Sequence, residues 1–228
     1  MAIKRADIWL PTKDATITPA TVESGYTGYA KGQKVTGTLA RRPYIKNAAY
    51  AQAVTCSITC TVGDRIIVGI VKRDALSTPS GWTLLHTDAG IAGAQWLSVL
   101  YKTATSTTEA FTTTTGSSTR IYIGMFAMGQ VTAVTYLSES TPGTQNFSVN
   151  RSSTEFHLWF CQAYSAAAAL FTVTAHVTNN YERQVGLLRA DAANSRLGII
   201  VDGDPSHTSL TNAFSPGADV RITSVKVT

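Results

Sequence analysis

The sequence predicts an all-β chain: a β-sandwich or jelly-roll-like main domain preceded by a small N-terminal module. Three observations carry that expectation. About one of the 228 residues in seven is Thr, and Val and Ile are frequent; β-branched side chains fit a pleated, half-buried surface and lose rotamer freedom in helices. Long helical periodicity is absent, and the Ala run "SAAAAL" at 165–170 is too short to stand as an independent helix. From Tyr44 onward, short apolar runs alternate with turn clusters. Hydrophobic residues make up 44% and charged residues 14%, a composition that folds rather than stays disordered.

The clearest strands are "AVTCSITC" (53–60), "RIIVGIVKR" (65–73), "WLSVLYKT" (96–103), "RIYIGMFAM" (120–128) and "EFHLWFCQAY" (155–164). Four more follow: "LFTVTAHV" (170–177), "RQVGLLRA" (183–190), "LGIIVD" (197–202) and "VRITSVKV" (220–227). Turn clusters such as "TVGD", "STPSG", "TTGSS", "STPGT" and "DGDPS" separate them. About ten strands punctuated in this way argue for a sandwich or jelly roll. The stretches 117–127 and 152–163 both open Ser-Ser-Thr and run into apolar alternation, which places them as similar core strands. Two copies are too few for a solenoid.

The charge divides the chain. Residues 1–46 hold eight basic groups against Asp7, Asp14 and Glu23, a net of +5; the other 182 residues carry eleven of each sign and cancel. The boundary falls in "LARRPYIKN", where Pro43 stops a ladder. Two domains are therefore expected, 1–43 and 44–228. A basic arm can meet nucleic acid, an acidic membrane surface or an acidic protein. For nucleic acid the Lys/Arg would be denser and a module recognisable, so no nucleic-acid partner is expected.

Within the first domain, Thr18-Pro19 suits a helix start, "PATVES" (19–24) gives one or two turns, and Gly25 closes them. "YTGYA" (26–30) and "QKVTGTL" (33–39) then read as two short strands about Lys31-Gly32. Val22, Tyr26, Tyr29, Val35 and Leu39 are all it has to bury, so a unit of this size is marginal alone and needs a partner surface.

No run of some eighteen apolar residues is present and the N-terminus lacks an apolar signal region, so no membrane insertion is expected and the chain is expected to be made in a cytoplasm. Cys56 and Cys60 on one strand would lie roughly 13 Å apart, too far for a disulfide. With Cys161 they read as buried reduced thiols, and no second ligand pair supports a zinc site.

The run Asp14-Ala15-Thr16, then Thr21-Val22-Glu23-Ser24-Gly25, then Tyr29-Ala30-Lys31-Gly32-Gln33-Lys34-Val35-Thr36-Gly37-Thr38 resembles an N-terminal element common in tailed-bacteriophage tail and fibre-type proteins, which typically runs "DATA…A..I..GKTAYVNG.KVTGT". This chain departs from it with Tyr26 in place of the usual Lys and Gly28 where Ala is frequent. A second stretch, "VGDRIIVGIVKRDALSTPSGWTLL" followed by "QWLSVLYKTAT", resembles a jelly-roll-like domain of phage tail-associated and other β-rich surface proteins. The resemblance implies a virion structural protein of tail-fibre, head-fibre or decoration type, docked on other virion proteins through its first domain. It also implies a homo-oligomer, a trimer being usual for fibre-type proteins. Attachment and oligomerisation then fall to Val22, Tyr26, Tyr29, Lys31, Lys34, Val35, Arg41 and Arg42.

Catalytic signatures are missing: no Gly-x-Ser-x-Gly elbow, no His-Glu-x-x-His, no phosphate loop. His86, His157, His176 and His207 are scattered, and His157 and His176 lie in strand-like runs as structural histidines. Asp202 and Asp204 flank Gly203, which reads as a turn before it reads as a calcium site. A glycan hydrolase needs two facing carboxylates; Glu109, Glu139, Glu155, Glu182 and the aspartates are candidates that sequence cannot pair, and no long-period repeat of a depolymerase spike is visible. The chain is read as a non-enzyme without cofactor or metal. Aromatics are the better binding elements: Trp82 in "PSGWTLL", and Tyr181 beside Asn180, could stack on host-surface sugars. Trp82, Trp96 and Trp159 can equally fill a sandwich core. The alternative function is thus a carbohydrate-binding module for host glycans, and after it an envelope hydrolase.

Overall fold

Ile66–Val71, Leu97–Leu100 and Tyr122–Met128 are buried one residue after another, with no polar alternation. A strand covered on one side buries only every second side chain, so these strands must be covered on both. The computed structural model describes residues 27–30, 33–36, 43–88, 96–113, 121–139, 146–150, 155–164, 182–189, 195–202, 209–213 and 219–228. It is all-β, with no helix among the described residues, and divides into two compact units, Met1–Arg42 and Pro43–Thr228.

In the first unit, β1 (Thr27–Ala30) and β2 (Gln33–Thr36) pair antiparallel, Ala30 opposite Gln33 and Thr27 opposite Thr36. These are the two strands expected on either side of Lys31-Gly32. The helical turn expected at 19–24 lies outside the described residues.

The second unit begins with a five-stranded antiparallel sheet of β3 (Tyr44–Ala51), β5 (Arg65–Lys72), β6 (Thr83–Asp88), β7 (Trp96–Thr103) and β9 (Tyr122–Gly129), ordered β3-β9-β5-β7-β6. A separate ribbon, β4 (Thr55–Thr59) with β8 (Thr108–Thr112), packs on one face of it. Cys56, Ile58 and Phe111 of the ribbon meet Ile66, Val68, Ile70, Leu100, Ile123 and Met125 of the sheet. The expected "TVGD" and "STPSG" turns are present. Gly63 and Gly81 hold φ of 92° and 80° there, in the left-handed region open to glycine.

A second five-stranded sheet follows: β10 (Val134–Glu139), β12 (Phe156–Tyr164), β13 (Glu182–Arg189), β14 (Ser195–Asp202) and β16 (Asp219–Val227), ordered β10-β16-β12-β14-β13. Its own ribbon is β11 (Asn146–Asn150) with β15 (Ser209–Ala213). Adding seven to every label of the first sheet and ribbon reproduces the second sheet and ribbon. The unit is therefore a tandem structural repeat, a feature the sequence reading did not find. The agreement reaches the bulges: β6 carries one extra residue between Leu84 and His86 against β7, and β13 carries one between Gln184 and Leu187 against β14. Such a bulge re-aims an edge strand and raises its twist.

The sheets face each other as a sandwich. Ile67, Val71, Leu97, Val99, Tyr122, Phe126 and Met128 of the first pack on Phe156, Leu158, Phe160, Leu197, Val225 and Val227 of the second. Aligned on the β6 and β13 bulges, Gly69 and Phe160 fall at equivalent positions: Gly69 lies opposite Val99 and Gly124, Phe160 opposite Ile199 and Thr223. These two positions touch, because a Cβ on Gly69 would stand 2.1 Å from Phe160 Cδ1. Phe126 meets Phe160 edge-on at 6.3 Å. Sequence placed 117–127 and 152–163 as alike; the fold instead makes β9 the counterpart of β16, and β12 the counterpart of β5. All three cysteines are free, Cys56 and Cys161 buried but Cys60 only half-buried.

Candidate functional site

Of the attachment residues expected in the first unit, Tyr29, Lys34 and Val35 fall within the described hairpin. Its register sets Tyr29 directly opposite Lys34, and Val35 opposite Gly28. Val22, Tyr26, Lys31, Arg41 and Arg42 lie outside the described residues, as do Asn180 and Tyr181.

Trp82 is described in full. The segment from Arg73 to Trp82 connects β5 to β6, which lie on either side of β7 in the sheet. Leu76 and Trp82 of this crossover pack against the cluster beneath the β4–β8 ribbon. The half-buried Trp82 ring meets Phe111 edge-on at 5.1 Å, with planes at 84°, and Lys102 Nζ sits 5.5 Å from its centroid. That distance suits a cation over an aromatic face. Trp82 immediately precedes β6 and Tyr181 immediately precedes β13, the equivalent strand of the repeat. Trp159 lies in the core, its indole N–H donating to Ser224 Oγ at 2.9 Å.

Lys102 is held from the other side by Glu109, Nζ to Oε2 at 2.6 Å. Oε1 of Glu109 accepts from the backbone N–H groups of Thr105 and Ser106 at 2.6 and 3.1 Å. Burial by itself raises a carboxyl pKa. Here the Lys102 ammonium and the two N–H groups outweigh burial and hold Glu109 down at about 2. The result is a relay from a turn through a carboxylate and an ammonium to the indole ring, which fixes the ring in place. Lys46 and Asp64 make a second pair at 2.6 Å. The hydrogen bond to Asp64 is the main reason the Lys46 ammonium is raised above its ordinary range, and Asp64 also accepts from Thr61 N–H at 2.8 Å.

Burial raises the thiols of Cys56 and Cys161, which keeps both protonated near neutrality and poor as nucleophiles. His157 is buried with Nε2 3.3 Å from Glu155 Oε2, beside the Lys226–Glu155 pair at 3.2 Å. Among the described residues, no group of three or more His, Cys, Asp or Glu is placed to hold a metal ion, and no helix is long and apolar enough to cross a membrane. None of these contacts was legible in advance: Glu109 lies 27 residues from Trp82 in the chain, and only the fold brings them together.

No protein-family model, no curated protein and no solved structure matches this chain.

Proposed function

We propose that this is a non-enzymatic structural protein of a tailed-phage particle, docking through residues 1–43 on other virion proteins and projecting the sandwich outward. The carrying observation is the ordered run at 14–38 that resembles the N-terminal element of phage tail and fibre-type proteins. Three features support it. The chain's whole net charge of +5 lies in residues 1–46. A hairpin straddles Lys31-Gly32 within that run. A compact unit ends at Arg42. In each half of the sandwich, a β3-β9-β5-β7 type order with β4 and β8 paired apart supports the jelly-roll-like part of the reading. The proposed assembly is a homo-oligomer.

The test is incorporation. Particles assembled with a chain lacking residues 1–42 are expected to lack the protein, while the truncated chain stays folded by circular dichroism. A truncated chain that incorporates at full occupancy overturns the docking role. The second reading, host-glycan binding, is favoured by the half-buried Trp82 ring ahead of an edge strand. A glycan array that gives the same signal for the native chain and Trp82→Ala removes that ring from any binding.

A further inference from the structure

The two halves of the sandwich are joined by residues 130–133 and by no shared ladder: among the described residues, every strand pair lies within one half. Side-chain packing holds them together, through the apolar layer around Phe126 and Phe160 and the His86–Tyr136 stack between β6 and β10, with centroids 4.1 Å apart. An apolar layer of this kind is what a permanent subunit interface presents.

The joint begins under strain. Gln130 has φ of +60°, the one non-glycine among the described residues in the left-handed region, a conformation unfavourable for any residue with a Cβ. Its far end is pinned to the second half. Thr132 and Ala133 N–H donate to the Thr228 carbonyl at 2.6 and 3.0 Å, and Thr228 N–H returns a bond to the Ala133 carbonyl at 3.1 Å. Thr132 Oγ1 also donates to the Thr228 carbonyl at 2.7 Å. Rotation is thereby concentrated at Gln130 and Val131.

A short strained joint between two modules that share no ladder among the described residues is the arrangement from which exchange arises. The same contacts form whether the partner module belongs to the same chain or to another. We propose that two copies of this chain exchange halves about residues 130–133, giving a closed two-fold dimer in which the first half of each copy packs on the second half of the other. The equivalent positions Gly69 and Phe160 set the pairing. First half on first half would face glycine with glycine and leave a void, and second on second would crowd two phenylalanines into one site. First on second lets Phe160 occupy the space over Gly69. The proposal rests on the fold alone, so the docking reading can fail without it.

The experiment compares full-length chains refolded over a range of concentrations, their mass read by light scattering after size exclusion. The native chain is expected to form a dimer whose share rises with refolding concentration. At one fixed concentration, Gln130→Gly, which accepts a positive φ, lowers that share about fivefold. Inserting four Gly/Ser residues after Gln130 lowers it further by easing closure within one chain. Gln130→Pro, which cannot hold +60°, raises it. A dimer made by ordinary surface contact is indifferent to the joint, so equal shares across the four chains overturn the proposal. So does a native chain and a Gln130→Pro chain that both stay monomeric throughout.

Discussion

The two halves of the sandwich share a topology and differ in most of the side chains that fill it. On the face of β5 turned from the sandwich interior lie Ile66, Val68 and Ile70; the equivalent positions of β12 hold His157, Trp159 and Cys161, and all six are buried. The first half pairs Lys46 with Asp64 and Lys102 with Glu109. The second gathers His157 and Lys226 on Glu155 and ties Trp159 to Ser224. What they share is strand order, the edge-strand bulge and an apolar layer between the sheets. That difference teaches that register and a filled core specify this architecture, while residue identity at a given position is free to drift if volume and polar partners are satisfied.

The comparison breaks most readily where the halves meet. Phe160→Ala empties the space over Gly69 and removes the edge contact with Phe126. It should cost about 3–5 kcal/mol in urea denaturation. Gly69→Ala works from the other side: its Cβ would stand 2.1 Å from Phe160 Cδ1, and the overpacking should cost about 1–3 kcal/mol. The same substitution at Gly63 or Gly81 is a control of a different kind, since open space surrounds both and only their positive φ is strained.

Glu109 sharpens the contrast in how the halves place charge. Its folded pKa lies near 2, below the ordinary carboxylate value. Its contribution is therefore complete above the unfolded pKa near 4.5 and is lost as pH falls from there through about 2. Glu109→Gln should lower stability by about 1.5 kcal/mol at neutral pH and flatten the loss between those two values. A native acid limb unchanged by the substitution would mean that Glu109 does not carry it.

The strands that were legible in the sequence are largely those buried on both faces. "RIIVGIVKR" and "RIYIGMFAM" read as strands because a ribbon lies on one side and the other sheet on the other, so every position favours an apolar residue. The strands at 44–51, 83–88, 108–112, 134–139, 146–150 and 209–213 were not read. Where their side chains are described many are exposed, as are Thr108 and Thr112 of β8, and such short Thr-, Ser- and Ala-rich pieces look like turns. The repeat was hidden for the reason the halves differ: Gly69 against Phe160, or Val68 against Trp159, leaves no similarity for a sequence to show. Trp82 was legible as an aromatic beside a turn, but Phe111, Lys102 and Glu109 around it come from β7 and β8 and could not be assembled from the chain alone.

The central claim is that two equivalent half-units meet at Gly69 and Phe160, and a double-mutant cycle measures it. Gly69→Ala, Phe160→Ala and the double variant are compared with the native chain by urea denaturation. Removing the ring should make the added methyl harmless, so the two effects should fall short of additivity by about 1–3 kcal/mol. Additive costs within about 0.3 kcal/mol would show that the two positions do not touch, and the pairing of the halves described here would be wrong.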